Sequence, residues 1–160
     1  MSVFKKILLA CYLILLVIST FFLFTFNEFS CSNFGKTTII GLKEKLDNYH
    51  RGNLLIISNK EKPKKGDQII YYDSNLKNKV DISEVTNIIQ NTEDTYVLGK
   101  NMYLSDEYLI GKQSEIISLP LLGYLYNILT NKIGYLVLFI IPIIICFVIN
   151  LKKYLKHEKN

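Results

Sequence analysis

The sequence Ile7-Leu-Leu-Ala-Cys-Tyr-Leu-Ile-Leu-Leu-Val-Ile-Ser-Thr-Phe-Phe-Leu-Phe-Thr-Phe26 contains 20 residues and no charged side chain. A second uncharged run, of 19 residues, lies at positions 133–151. At about 1.5 Å per residue, a helix of either length is roughly 30 Å long, which matches the hydrocarbon core of a bilayer. The two runs therefore predict transmembrane helices over residues 7–26 and 132–151.

The charge of the chain is concentrated beside these runs. Residues 27–131 carry 12 Lys and Arg against 13 Asp and Glu, whereas the flanking segments carry seven Lys against one Glu. A nucleic-acid-binding protein would need its positive charge on the folded region, so no nucleic-acid partner is expected. By the positive-inside rule, residues 1–6 and the basic tail 152–160 are cytoplasmic and the central region is extracytoplasmic, which predicts a multi-pass cell-membrane protein.

The first run has a competing interpretation as a cleavable signal peptide. Ser30-Cys31-Ser32 offers small residues at a spacing suited to cleavage. An uncharged run of 20 residues is longer than the roughly 7–15 of a signal's apolar core, which favours a retained span.

The central region contains short runs that are rich in β-branched and aromatic residues. The linker between the first two is full of turn residues and ends in Gly66-Asp67, which predicts a hairpin. Together the runs predict a small, mostly antiparallel β domain over residues 27–118. The predicted strands are residues 54–58, 68–72, 80–90, 95–98 and 109–117.

Residues 119–131 separate this domain from the second span. The segment is uncharged up to Asn131, begins near Pro120, and is too short to cross a bilayer. Tyr124, Tyr126 and Asn127 suit an amphipathic helix at the headgroup level. Within the second span, Pro142 predicts a kink.

Residues suited to catalysis or metal binding are sparse outside the spans. Between the spans, His50 is the single histidine and Cys31 the single cysteine, expected to be an unpaired thiol, while His157 lies in the basic tail. This is too few for a zinc site of two or more His or Cys ligands, and Gly35-Lys36-Thr37 lacks the upstream glycine of a phosphate-binding loop. Neither a metal nor a cofactor is expected.

Five segments of the chain follow one another in the order of a known family. The pattern resembles the type I signal peptidases, in their endoplasmic-reticulum-like branch, over roughly residues 50–150. The closing segment is similar to the family's I-P-Y-L-G-Y-[LI], and the first two to its strands G-D-[LV]-[VI]-x-V and K-x-G-D-[IV]-[IV]-x-[FY]. The segments are Gly52-Asn-Leu-Leu-Ile-Ile57, Lys65-Gly-Asp-Gln-Ile-Ile-Tyr71, Tyr96-Val-Leu-Gly-Lys100, Leu109-Ile-Gly-Lys112 and Leu119-Pro-Leu-Leu-Gly-Tyr-Leu125.

The resemblance implies positions for catalytic residues, but the required residue types are missing. The family's serine nucleophile falls near Glu44, and its basic residue falls near Ser83. Of two acidic positions, one corresponds to Asn101 and the other to Asp106. Because nucleophile and base act as a unit, no catalytic residue is predicted.

These observations lead to one primary hypothesis and two alternatives. The resemblance implies a catalytically degenerate, signal-peptidase-like membrane protein that binds extended segments of secreted or surface proteins during export or assembly. Its partners would be those precursors, with an active signal peptidase or a surface-fibre assembly machinery beside it. The first alternative is an active signal peptidase that uses Ser30 or Ser32, and the second is a membrane-tethered structural or sensing module.

Overall fold

The computed structural model describes residues 3–90, 94–99 and 102–157. Two apolar helices at the ends of the chain flank a β-rich region that contains two antiparallel sheets. The chain divides into two compact units: Thr25–Asn127 is the β unit, and the two terminal segments form the helical unit. Residues 1–2, 91–93, 100–101 and 158–160, which include Asn101 and the end of the basic tail, lie outside the described residues.

The first sheet has the strand order β1-β2-β3-β9 and the second has the order β7-β6-β5-β4-β8, with antiparallel pairing throughout. Single 3₁₀ turns precede β8 and β9. The strands are β1 Cys31–Phe34, β2 Thr37–Gly41, β3 Leu54–Ser58, β4 Gln68–Tyr72, β5 Val80–Gln90, β6 Asp94–Leu98, β7 Met102–Ser105, β8 Leu109–Lys112 and β9 Ile116–Leu119.

Apolar alternation along the strands builds two cores. In β3, Leu55 and Ile57 are fully buried, as expected where alternate side chains face the interior. The second core lies on the other sheet around Val85, Tyr96 and Leu98. The predicted bounds of 54–58, 68–72 and 80–90 are confirmed.

The predicted hairpin between the first two apolar runs is wrong. β3 pairs with β2 and β9, and β4 pairs with β5 and β8, so the linker between β3 and β4 carries the chain from one sheet to the other. The physical reason lies in β2, whose Ile39 and Ile40 pair with β3 in place of β4. β1 and β2 join through a two-residue loop in which Gly35 has φ +60, as hairpin turns of this length favour.

The predicted strand at 109–117 is divided in the structure. β8 joins the second sheet, the turn Gln113–Glu115 redirects the chain, and β9 joins the first sheet. β5 is the longest strand, and it changes partner along its length. Residues 80–84 pair with β4, and residues 85–90 pair with β6, with a register shift inside that second ladder between Val85 and Asn87.

A short helix, α2 (Leu122–Leu129), follows β9. Its first turn lies directly on the start of β3, where the N–H of Gly123 donates to the carbonyl of Gly52 at 2.9 Å. A Cβ at Gly123 would overlap the carbonyl group of Asn53. Glycine is therefore required by close backbone approach at this position.

The helical unit contains α1 (Val3–Thr25), α3 (Lys132–Tyr135) and α4 (Ile141–His157), with a π-helical turn at Leu136–Ile140. Two segments, Lys6–Thr25 and Lys132–Ile149, are long and apolar enough to cross a membrane, and most of their surface is exposed. The π-helical turn ends two residues before Pro142, where the sequence predicts a kink.

Candidate functional site

The position that the resemblance assigns to the nucleophile lies in the loop after β2. The N–H groups of Lys43 and Glu44 donate to Oδ1 of Asn78 at 2.8 and 2.9 Å, and Nδ2 of Asn78 donates back to the Glu44 carbonyl at 3.2 Å. The Glu44 carboxylate accepts from Lys77 at 2.6 Å, in an exposed ion pair. Asn78 is buried, so this loop is tied firmly to the turn between β4 and β5.

The position assigned to the base lies within β5. Ser83 is half-buried and pairs in register with Ile69 of β4, while a Cβ at Gly99 would lie 3.8 Å from the Ser83 Oγ. A serine hydroxyl cannot replace a histidine or lysine as a general base.

Of the two acidic positions, Asp106 is in the structure and Asn101 lies outside the described residues. Asp106 accepts a hydrogen bond from the hydroxyl of Tyr96 at 3.0 Å. Burial and, secondarily, this carboxylate raise the pKa of Tyr96, so its proton is held between the two groups. The role of Asp106 in this structure is to hold a buried tyrosine.

The assigned positions do not form a catalytic group with one another. Among the described residues, no hydrogen bond joins Glu44, Ser83 and Asp106. Within the same part of the chain, no cluster of three or more His, Cys, Asp or Glu could hold a metal ion.

Ser30 and Ser32, the candidate nucleophiles of the first alternative hypothesis, differ in burial and in hydrogen-bond partner. Ser32 is fully buried, and its Oγ lies 2.8 Å from the hydroxyl of Tyr126, which donates to the Ile39 carbonyl at 3.2 Å. Ser30 is half-buried with φ +60, and its Oγ accepts from Nζ of Lys43 at 3.4 Å. Sequence reasoning missed Lys43 as a partner, because only the pairing of β1 with β2 brings the two residues together.

Cys31 is free and fully buried. Its thiol donates to the carbonyl of Phe29 at 3.2 Å. Burial raises the pKa of Cys31 to about 12, against the opposing effect of Lys43 and Lys79. Since the thiolate is the reactive species, this thiol is a poor nucleophile.

In the part of the chain that the structure describes, the two sheets end in four edge strands, β1, β9, β7 and β8, and two of these, β9 and β7, expose a large apolar or aromatic side chain. Among the described residues, the backbone of β9 hydrogen-bonds only with β3, and the strand Ile-Ile-Ser-Leu carries no charge. Its Ile117 side chain is 60% exposed. At the edge of the other sheet, β7 exposes Tyr103 to 65%.

Exposed apolar side chains continue from β9 into α2. Leu121 is 71% exposed, and Leu122, Tyr124 and Leu125 are also exposed. The helical part of the predicted interfacial segment is confirmed. The prediction for Tyr126 is wrong, because this side chain points into the core and is 4% exposed.

Two cavities of the β unit are lined mostly by polar residues. One of about 430 Å³ is lined by Tyr49, Asp67, Gln68 and Gln113. Another of about 380 Å³ lies beside the β1–β2 turn and is lined by charged residues of both signs, including Lys36, Lys60, Asp106 and Glu107. Neither cavity includes Glu44 or Ser83.

Comparison with protein-family models gives no match, and comparison with curated proteins gives no match either.

Proposed function

We propose that the chain is a membrane-anchored β domain that binds an extended segment of a secreted or surface protein by strand addition. Both apolar helices would cross the membrane, with the two termini in the cytoplasm and the β unit outside. The resemblance to type I signal peptidases supports this function, as does the replacement of their nucleophile and base by Glu44 and Ser83.

The open edge of β9 carries the proposal. An edge strand offers unpaired N–H and C=O groups to a further strand, and proteins usually protect such an edge with lysine, proline or a bulge. β9 has none of these, and Ile117 projects from it into solvent. A polypeptide paired with β9 would obtain main-chain hydrogen bonds along four residues.

The surroundings of β9 indicate the chemistry of the bound segment. The exposed side chains that follow it, Leu121, Leu122 and Leu125, are apolar, so an uncharged, aliphatic extended segment fits better than a charged one. Such segments occur where a secreted precursor leaves the membrane. The protein would hold this segment during export or assembly and leave the peptide bond intact.

A photo-crosslinking experiment tests the site. A photoreactive amino acid replaces Ile117 in the full chain, which is co-expressed with a secreted precursor that carries a cleavable signal segment. We expect a crosslink to the precursor, and we expect Ile117→Lys to abolish co-purification of the two proteins.

Tyr103→Lys is the matched control, because it places the same charge on the open edge of the other sheet. If Tyr103→Lys abolishes binding and Ile117→Lys does not, β7 is the binding edge and the β9 assignment is wrong. Unchanged binding in both variants would contradict strand addition at either edge, and no binding by the wild-type chain would favour the tethered structural or sensing module. Precursor processing that requires the chain would contradict the non-cleaving function.

A second candidate function is favoured by the contact between Ser30 and Lys43. A serine paired with a lysine is a known nucleophile and base, although the lysine must be desolvated to act, and Lys43 is exposed. Under this alternative, Ser30→Ala would eliminate processing of the precursor while Ser32→Ala would retain it. Equal processing in the wild type and both variants would remove it.

A further inference from the structure

The helical unit contains a turn whose carbonyl groups lack a regular set of donors. In an unbroken α-helix, the N–H of residue 142 would donate to the carbonyl of Leu138, but proline has no N–H. The preceding turn, Leu136–Ile140, is π-helical, and the N–H of Ile141 donates to the carbonyl of Leu136. Pro142 therefore removes one donor just where the helical register has already changed.

A side chain of α1 reaches this turn. The hydroxyl of Tyr12 donates to two carbonyl groups of the turn, that of Leu138 at 3.3 Å and that of Phe139 at 2.9 Å. The Leu138 carbonyl is the one that would accept from residue 142 in an unbroken helix. The Phe139 side chain is fully buried, with ring centroids 5.7 Å from Tyr12 and 5.1 Å from Tyr135. Tyr12 thus combines a ring contact with a hydrogen bond to the turn.

α1 makes two further polar contacts, one with the end of α2 and one with α3. Ser19 is fully buried, and its Oγ donates to the Leu129 carbonyl at 3.0 Å. Thr20 Oγ1 lies 2.8 Å from the hydroxyl of Tyr135. In hydrocarbon, each such group would otherwise lack a partner, which makes these polar side chains effective contacts between helices.

We infer that Tyr12 supplies the donor that Pro142 withdraws, so that α1 and the second apolar helix form a fixed intramolecular pair. The inference rests on the proposed membrane location, and it is independent of peptide binding at β9. It also assigns Tyr12 a role that Phe could not fill, because the ring alone provides no donor.

Pairing of the helices can be followed by energy transfer between dyes on Cys11 and Cys146. Both thiols are free and exposed, whereas Cys31 is buried and remains unlabelled under native conditions. The full chain in detergent micelles is titrated with sodium dodecyl sulfate, and the loss of transfer gives an equilibrium constant for separation of the helices. Tyr12→Phe is expected to weaken pairing by about threefold to twentyfold, the range of interhelical hydrogen bonds.

Pro142→Ala provides the decisive background, because it restores the N–H. In that background we expect Tyr12→Phe to weaken pairing less than it does in the native background, since the Leu138 carbonyl has an intrahelical donor again while the bond to the Phe139 carbonyl is lost in both. Ser19→Ala is the matched control, because its bond to Leu129 lies away from the proline; its effect should be equal in both backgrounds.

Equal losses for Tyr12→Phe with and without Pro142 would overturn the link between the two residues, and no loss in the native background would overturn the contact itself. Pro142→Leu repeats the test with a second residue that has an N–H. Failure of both variants to fold would also contradict the inference, because the restored bond should leave the helix at least as stable. Crosslinking at Ile117 is a separate measurement, so failure of one proposal is distinguishable from failure of the other.

Discussion

The contacts inside the β unit differ in kind from the contacts inside the helical unit. The β unit is stabilised mainly by two apolar cores and by close backbone approaches. Buried polar groups such as Asn78 add hydrogen bonds to the backbone. In the helical unit most side chains are exposed, and Phe139 with a few hydrogen bonds joins the helices. The difference teaches that steric changes should matter most in the first unit and single hydroxyl groups in the second.

The largest effect is expected from Gly123→Ala. The added Cβ would overlap the carbonyl of Asn53, and backbone atoms cannot move aside as a flexible side chain can. We expect a loss of roughly 3 kcal/mol or more in the stability of the β unit, in line with overpacking at a rigid contact. Hydrogen exchange of the amides of β3 measures it.

Gly99→Ala is the control, because its nearest neighbour, the Ser83 Oγ, is 3.8 Å from the added carbon. Comparable exchange rates in the two variants would show that the contact between Gly123 and Asn53 does not govern the β unit.

Asn78→Ala is expected to cost about 2–3 kcal/mol. It leaves the N–H groups of Lys43 and Glu44 without their acceptor, and unsatisfied buried groups carry most of their desolvation cost. Thermal unfolding followed by tyrosine circular dichroism would detect this loss. Asn75→Ala, in the exposed part of the same turn, should leave the midpoint unchanged; a similar shift in both variants would contradict the assignment.

Alkaline pH should destabilise the β unit through Cys31. The pKa of the thiol is raised from 9.0 to about 12 in the folded protein, so the unfolded state loses its proton first and stability falls as pH rises from 9.0 toward 12. The free energy of unfolding should fall by up to about 1.4 kcal/mol per pH unit in this range. The free energy of unfolding should differ less between pH 8 and pH 10 in Cys31→Ser than in the wild type, because the serine hydroxyl does not titrate in this range. Equal differences in the two proteins would show that the thiol does not cause the pH dependence.

The smallest effect is expected in the helical unit. Thr20→Val removes the contact with the Tyr135 hydroxyl but preserves side-chain shape, and interhelical hydrogen bonds of this kind average about 0.6 kcal/mol. Energy transfer between labelled Cys11 and Cys146 during detergent titration measures the change. A loss as large as that of Gly123→Ala would erase the contrast between the units.

Local pattern predicted β3, β4, β5 and β6, but it missed β1, β2 and β7 and merged β8 with β9. It also could not predict which strands pair. The β-branched runs at Leu54–Ser58 and Gln68–Tyr72 are strands as expected. Their assignment to different sheets depends on β2, which pairs with β3 from earlier in the chain. β1 was missed because Cys31-Ser-Asn-Phe34 has no β-branched residue, and it is a strand through its pairing with β2.

The candidate site was predicted in part for the same reason. Counting along the chain located Glu44, Ser83 and Asp106, and the residue types alone showed that the expected chemistry is missing. The sequence could not predict that these residues lie beside Lys77, Gly99 and Tyr96, because each of these arrangements depends on how distant segments pack. Burial of Tyr126 likewise follows from the seating of α2 on β3.

The change of partner within β5 has a consequence for how the second sheet opens. Its first half belongs to the ladder with β4 and its second half to the ladder with β6, and a register shift lies inside the second ladder, between Val85 and Asn87. Loss of the β6–β7 ribbon would therefore break no backbone hydrogen bond between β4 and β5, but it would uncover Tyr96 and Leu98 in the core that they share with Ile69 and Tyr71. We expect the amides of β6 and β7 to exchange before those of β4, at a rate limited by exposure of this shared core.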